Sequence, residues 1–365
     1  MNYKRLFPII MPWQRIKPTL ILHSDDWGAE RMPSESVRRK LDKHPLIVAN
    51  DPYARLDTLA SAEDLAAIFD VLTSVKDSSA NPAVLTANVI MANPDYQRIK
   101  EIQFNQYFNE PFTTTFEKYN NSQALQLWQE GMQAGIFIPQ YHGREHVNVK
   151  LWLFHLKNGH EGVRAAFDHG VYGVNFLNLG LRKENFQAAW DFYNKEDEED
   201  VIKSSLEGYK MFEEYFGFQS QTAIAPSYTW NKKIEKQLRA RGVKAMQGLI
   251  VQKQPKERRE SYYRKFHLFH RQAYQLRNVF FEPSLSWTNC VVDNALLRVS
   301  EAFKFGRPAI VCSHRLNYVS GLNVKNRDFS LKLLKQFLKR VVKNWPDIEF
   351  QSARDLTPYC NIKSE

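Results

Sequence analysis

Short apolar runs alternate with longer amphipathic segments along most of the chain. Largely apolar runs of the kind that form buried strands occur at 19–22, 83–90, 136–138 and 310–312. Between them, apolar residues recur at spacings of three and four, which predicts amphipathic helices at 61–72, 122–135, 201–216 and 329–345. Alternation of strands and helices is typical of a parallel sheet covered by helices. The pattern therefore predicts an α/β fold in which the strands form a barrel.

The composition is that of a folded protein with a large core. The chain of 365 residues is long for one domain, but α/β barrels reach this size as a single unit, and 43% of its residues are hydrophobic. Its three cysteines are odd in number and widely spaced, which favours a reducing compartment, and we expect a cytoplasmic protein. The segment 1–17 is predicted to be an N-terminal extension rather than a signal sequence, because Pro8 and Pro12 interrupt its apolar part. No apolar run reaches the length of a membrane span.

Two acidic residues stand at the end of the first predicted strand. Asp25 and Asp26 follow the apolar run 19–22 and precede a turn at Gly28. Adjacent residues of a strand point in opposite directions, so one carboxylate could bind a metal or a proton while its neighbour acts from the turn. Acidic pairs before glycine are also common in ordinary turns. The pair alone does not separate these two interpretations.

Histidines follow two of the later strands. His142 and His146 come after the strand at 136–138 with a spacing of four, which places two imidazoles on one face of a helical turn, where they can share a metal ion. The alternative is a pair of solvated loop histidines. His314 follows the strand at 310–312. Because all strands of a parallel barrel open at the same end, we expect the three histidines to meet the acidic pair there.

In this order, the motifs resemble those of the polysaccharide deacetylase family, a group of metal-dependent carbohydrate deacetylases. The residues that carry the resemblance are Ser24-Asp25-Asp26-Trp27-Gly28, His142-Gly143-Arg144-Glu145-His146 and the strand that ends at His314. The resemblance implies a single distorted (β/α) barrel of about seven parallel strands, similar to a TIM barrel, over 18–355. We expect insertions near 94–120 and 251–278 and a C-terminal tail at 356–365.

The resemblance also implies the chemistry of a metal-dependent hydrolase. Asp26, His142 and His146 would bind a divalent ion, most simply zinc, with an open position for water. Cobalt, nickel or manganese would also suit these nitrogen and oxygen donors. Asp25 would take a proton from the metal-bound water, and His314 would act as general acid toward the leaving amine or alcohol. The expected substrate is an N- or O-acetylated saccharide.

The middle motif departs from the family at one position. The segment 222–228 resembles an Arg-x-Pro-Tyr motif of the family, but Ile224 or Ala225 stands where the arginine should be. That arginine is associated with the catalytic base, which it keeps ionised. Arg144 and Arg315 are its candidate replacements, because each is next to a histidine of the predicted site. The alternative is a degenerate relative that binds a glycan without turning it over.

Residues predicted to contact the substrate come from several of these motifs. A backbone N–H near Ser227 or Tyr228 would hold the oxyanion together with the ion. The full set of predicted substrate-binding residues is Trp27, Arg144, Ser227, Tyr228, Trp287 and Arg315.

Positive charge is concentrated in one part of the chain, the basic segment 231–278. The chain has a formal net charge of +10, and this segment alone holds 14 Lys and Arg residues against three Glu. Near the mouth of the cleft, Arg264 and Arg271 would select an anionic saccharide or a sugar phosphate. The aromatic residues among these cations would also suit single-stranded nucleic acid. A third interpretation is a solvated basic helix at 232–244 followed by an exposed insertion.

Overall fold

Parallel strands form the centre of the fold. The computed structural model describes residues 17–43, 51–173, 185–255, 264–266 and 274–359. Its strands are β1 Thr19–Trp27, β2 Leu85–Ile90, β3 Ala92–Pro94, β4 Asn109–Pro111, β5 Phe137–Gly143, β6 Thr222–Ile224, β7 Ala245–Gly248, β8 Val251–Lys253, β9 Arg264–Phe266, β10 Tyr274–Leu276, β11 Val279–Phe280, β12 Ala309–His314 and β13 Glu349–Gln351. Within the described residues, eight parallel strands follow the order β10-β7-β6-β5-β2-β1-β12-β11, and β13 pairs with β1 beside this path.

The two ends of this sheet are neighbours in the sequence. Only Arg277 and Asn278 separate β10, at one end of the strand order, from β11, at the other. The Arg277 N–H donates to the Gly248 carbonyl on one side, and the Asn278 N–H donates to the Ile310 carbonyl on the other. The sheet therefore curls round on itself, which confirms the predicted (β/α) barrel class. The path has eight strands instead of the expected seven. Residues 274–280 contribute two short strands to it, β10 at one end and β11 at the other.

One predicted boundary needs correction. The segment 251–278 was expected to be an insertion, but β10 pairs in parallel with β7 and so belongs to the barrel. The part of that segment outside the main sheet includes the antiparallel pair of β8 and β9. The insertion expected near 94–120 contains a second antiparallel pair, formed by β3 and β4.

Helices cover the outside of the sheet. They are α1 Glu35–Leu41, α2 Pro52–Leu56, α3 Ala62–Thr73, α4 Tyr96–Glu101, α5 Phe112–Lys118, α6 Ser122–Gln133, α7 Val149–Lys157, α8 Glu161–Phe167, α9 Lys195–Phe216, α10 Lys232–Arg239, α11 Pro283–Ser286, α12 Cys290–Lys304 and α13 Val324–Asn344. The helix predicted at 61–72 is present as α3, and Ser61 caps its start, because the Ser61 hydroxyl accepts a hydrogen bond from the Asp64 N–H. No helix in the described ranges is both long enough and apolar enough to cross a bilayer.

Gly28, immediately after β1, supports a testable prediction about stability. Its φ is +82°, and a Cβ built there would lie 2.4 Å from the Ile90 carbonyl oxygen. We expect Gly28→Ala to lower the free energy of unfolding by about 2 kcal/mol more than Gly217→Ala does, because only the first adds a steric clash to the left-handed backbone. Gly217 is a matched control, with φ +73° and no heavy atom within 4 Å of its built Cβ. Equal losses in urea unfolding would show that the contact with β2 contributes nothing.

Candidate active site

A cavity of about 250 Å³ opens at the carboxyl ends of the barrel strands. Asp25 and Asp26 at the end of β1, His142 at the end of β5 and His314 at the end of β12 all line it, together with His146. The structure therefore brings together all five of the residues that the motifs predict to share one face.

The two adjacent carboxylates face the same cavity instead of opposite directions. The pairing of β1 with β2 shifts register between Ser24 and Trp27, and Asp26 has a left-handed backbone with φ of 72°. Such a bulge and turn rotate one side chain relative to the regular strand alternation. Local strain of this kind is typical of functional sites, because only the surrounding structure can hold it.

The Asp26 carboxylate lies between two imidazoles. Its Oδ1 is 3.3 Å from Nε2 of His142 and 3.3 Å from Nε2 of His146. Among the described residues, these three form a group whose ligand atoms all lie within 4.8 Å of one another. His142 Nδ1 is 3.0 Å from the Ile224 carbonyl, so a neutral ring donates there and turns the lone pair of Nε2 toward Asp26.

This donor set suits a cation. Burial, reinforced by the nearby charge of Arg31, lowers the pKa of His146 to about 3, so its imidazole is neutral and can act as a ligand. Carboxylate oxygen and imidazole lone pairs then face one another across a small buried space, an arrangement that a positive ion stabilises. The second oxygen of Asp26 accepts a hydrogen bond of 3.0 Å from the Arg31 guanidinium, which fixes the rotation of the carboxylate.

His142 and His146 do not lie on the helical turn that their spacing of four predicts. His142 belongs to a strand and His146 to the loop that follows it, so they do not share a helical turn. The loop packs closely against α9 at Gly208. A Cβ built on Gly208 would lie 2.6 Å from the Arg144 Cα, so only glycine leaves room for the loop backbone there. Glu145 adds a hydrogen bond of 2.8 Å from the Ser204 hydroxyl.

Asp25 is held by an arginine that sequence reasoning did not identify. Arg277 donates from Nη1 to Oδ2 and from Nη2 to Oδ1 of Asp25, each at 2.6 Å. Asn88 adds a third hydrogen bond to Oδ1 at 2.7 Å. Burial by itself would raise the pKa of Asp25, but the charge and hydrogen bonds of Arg277 outweigh it, so the pKa lies well below its usual range. Asp25 is therefore a carboxylate with a fixed orientation.

Neither candidate replacement for the missing arginine contacts Asp25. Arg144 pairs with Glu145 and Glu207, each at 2.5 Å. The Arg315 guanidinium is buried against Asp57 at 2.9 Å and the Ala29 carbonyl at 2.7 Å. Both side chains therefore hold loops around the site, and the expectation that either supports the base is wrong. Arg277 lies two residues before β11, and its place inside the basic segment hid it from sequence reasoning.

His314 is paired with Glu282, another residue whose role the sequence did not reveal. Its Nδ1 is 2.6 Å from Oε1 of Glu282, while Oε2 of the same carboxylate accepts a hydrogen bond of 2.7 Å from Asn317. Burial would lower the pKa of His314, but the Glu282 carboxylate outweighs it and raises the pKa well above its usual value. The imidazolium then has its other nitrogen, Nε2, 3.7 Å from Asp25.

The predicted substrate-binding residues divide into two groups. Ser227 and Tyr228 line the cavity, both with left-handed backbones. Trp27 instead lies in the core, where its indole N–H donates to Ser24 at 3.0 Å. Trp287 is half exposed and stacks on Phe329 at 5.6 Å outside the cavity lining.

The predicted oxyanion donor is also only partly available. The Tyr228 N–H already donates to the Ala225 carbonyl at 2.9 Å. This bond closes the short 3₁₀ turn Pro226–Tyr228, so that amide cannot point at a substrate oxygen. The Tyr228 hydroxyl is likewise engaged, since it accepts a hydrogen bond of 3.1 Å from Arg277.

The basic segment is described only in part. Its helix is present as α10, and Lys253 lines the cavity, which places one of its cations at the site. The Arg264 side chain and the whole of Arg271 lie outside the described residues. The predictions of anionic-saccharide selection and of nucleic-acid binding through these rings and cations therefore remain predictions.

Comparison with known proteins gives similarity in structure alone. No family model and no curated protein matches the sequence. A protein from Mycobacterium smegmatis that carries the provisional name polysaccharide deacetylase is 11% identical, with a TM-score of 0.47 over 96% of this chain and 95% of that one. A CE4 family pseudoenzyme from Bacillus anthracis is 11% identical, with a TM-score of 0.40 over 96% of this chain and 69% of that one. Peptidoglycan deacetylase PdaC from Bacillus subtilis is 8% identical, with a TM-score of 0.40 over 95% and 93%. Polysaccharide deacetylases are thus among the structures that this chain resembles, as its motifs predict, and similarity at this level assigns it no activity.

Proposed function

We propose that the protein is a metal-dependent hydrolase that removes acetyl or other acyl groups from an N- or O-acetylated saccharide. The observation that carries the proposal is the arrangement around the cavity. Arg277 holds the Asp25 carboxylate, and Glu282 holds the His314 imidazolium. These two groups lie beside a set of possible metal ligands, Asp26, His142 and His146. A base, an acid and an ion site within one small cavity are the groups that acyl transfer to water requires.

The ion would be held by Asp26, His142 and His146, and zinc suits one carboxylate and two imidazoles best. When bound, it would polarise the acyl carbonyl and make a water molecule more nucleophilic at neutral pH. Cobalt, nickel and manganese are compatible with the same donors. Arg31 leaves one oxygen of Asp26 free for the ion by occupying the other.

The protein residues would handle the protons. Asp25, kept ionised by Arg277, would accept a proton from the attacking water, and its fixed carboxylate would help to orient that water. His314 gives its Nε2 proton to the amine or hydroxyl of the departing saccharide, while Glu282 holds the ring in place. The cytoplasmic location predicted from the cysteines is also part of this proposal.

The test is an acetate-release assay of the purified protein on a panel of N- and O-acetylated saccharides, run with added zinc and again with a chelator. We expect acetate release from at least one sugar and its loss on chelation. Binding of an acetylated sugar without acetate release would instead favour the non-catalytic glycan-binding alternative. If the protein neither binds nor deacetylates any saccharide of the panel, both the deacetylase proposal and the glycan-binding alternative are contradicted.

Glu282→Gln should change the pH dependence of this activity. Glu282 raises the pKa of His314, and an acid works only while protonated, so activity is lost as pH rises through that pKa. Removing the carboxylate charge lowers the pKa of His314, and we expect the basic limb of the kcat profile to move to lower pH. Glu301→Gln is the control, because Glu301 pairs with Arg298 on the outer helix α12. An unshifted basic limb would show that His314 is not the acid.

A further inference from the structure

Tyr53 reaches the cavity from α2, a short helix that is not part of the barrel strands. The helix starts at the Asp51 cap, whose carboxylate accepts a hydrogen bond of 3.0 Å from the Tyr53 N–H. It ends at Asp57, whose Oδ1 is 2.9 Å from Nη2 of Arg315. Arg315 is the residue that follows His314 in the sequence. Two fixed ends on so short a segment leave the Tyr53 side chain little freedom of position.

The Tyr53 ring contacts both the proposed acid and the arginine that holds Asp26. It meets the His314 imidazole edge-on at 5.5 Å, and the Arg31 guanidinium lies 5.6 Å from its centre. Tyr53 lines the same cavity as Asp25 and Asp26. No hydrogen bond joins its hydroxyl to another described residue, and the residue is only partly buried, so the hydroxyl is free to donate to a ligand in the cavity.

The phenol is suited to donate its hydrogen. Burial, with the charges of Glu282 and Asp26 adding to it, raises the pKa of Tyr53 well above its usual value. The hydroxyl therefore remains protonated at neutral pH. A neutral O–H in a buried, polar cavity gains most from an acceptor that becomes negatively charged.

Acyl transfer creates such an acceptor. The carbonyl oxygen gains a full charge when the tetrahedral intermediate forms, and it needs hydrogen-bond donors at that moment. Of the two amides expected from the sequence, Ser227 and Tyr228, the Tyr228 N–H is already bonded to the Ala225 carbonyl. Tyr53 lines the same cavity, and its hydroxyl is a further donor beside the ion and the remaining amide.

We propose that the Tyr53 hydroxyl donates a hydrogen bond to the acyl oxygen of the substrate and strengthens that bond as the oxygen becomes an oxyanion. The inference rests on the proposed function and adds to it a catalytic residue from outside the strand-end motifs. As the water oxygen bonds to the acyl carbon, the π pair moves onto the acyl oxygen and one water proton goes to Asp25. When the pair returns, the bond from the acyl carbon to the saccharide nitrogen or oxygen breaks and His314 protonates the departing atom. Tyr53 keeps its proton throughout.

The test compares Tyr53→Phe with Tyr172→Phe. Tyr172 is the control, since its ring likewise packs near Arg31, at 5.9 Å, yet it is buried outside the cavity lining. We expect Tyr53→Phe to lower kcat for acetate release by about 10²-fold with KM nearly unchanged, because the lost bond matters mainly in the transition state. Tyr172→Phe should keep kcat, and both variants should bind zinc as the parent does in equilibrium dialysis.

A second measurement separates a chemical role from a structural one. A methylphosphonate analogue of the preferred substrate imitates the charged tetrahedral oxygen, and its dissociation constant should rise in Tyr53→Phe by the same factor as kcat/KM falls. An unchanged kcat, a rise in KM alone, or an equal loss in Tyr172→Phe would overturn the role of Tyr53 while acetate release by the parent upholds the proposed function. A parent that releases no acetate would overturn the proposed function and this inference with it.

Discussion

Asp25→Asn is expected to reduce kcat for acetate release by about 10³-fold, because a buried amide cannot accept the proton of the attacking water. Arg277→Met should cause a loss of similar size. Without the guanidinium, burial favours the protonated form of Asp25, so the base is neutralised where it stands. Initial rates at saturating substrate measure both effects.

The same pair predicts an effect on stability that does not depend on the substrate. Arg277→Met leaves a buried carboxylate without its partner, and we expect it to lower the free energy of unfolding by about 3–5 kcal/mol. The double variant Asp25→Asn/Arg277→Met removes both charges and should recover most of that loss while remaining inactive. Additive losses of stability in urea unfolding would show that the two side chains do not act as a unit.

His142→Ala combined with His146→Ala is expected to abolish zinc binding. Loss of two of three ligands leaves Asp26 alone, and one carboxylate beside Arg31 does not retain the ion. Equilibrium dialysis followed by elemental analysis should show about one zinc per parent chain and background levels in the double variant. Acetate release should fall with the metal.

Two controls sharpen that experiment. His169→Ala changes a histidine whose Nδ1 lies 2.8 Å from the Ala165 carbonyl of its own helical segment, so zinc content should be unaffected. Asp25→Asn should also keep its zinc, since Asp25 is held by Arg277 outside the ligand group. Zinc retained by the double histidine variant would disprove the ligand assignment.

The sequence determined the barrel class and the strand-end residues of the site. Buried apolar runs predict parallel strands, and parallel strands deliver their final side chains to one end, which is enough to bring Asp25, His142 and His314 together. The prediction succeeded where position along a strand is sufficient information. It failed in detail at Asp26 and His146, whose directions depend on a register shift and on a loop.

Only the tertiary structure decided how each of these groups is held. Arg277 reaches Asp25 because it lies between β10 and β11, where the two ends of the sheet meet. The hydrogen bond between them joins residues 252 positions apart in the chain. Glu282 is fixed beside His314 and Tyr53 beside the cavity by packing between segments that share no local pattern. The cation that pairs with Asp25 thus comes from the connection between β10 and β11 and not from the segment 222–228, since Asp25 requires a cation at a point in space and not at a position in the sequence.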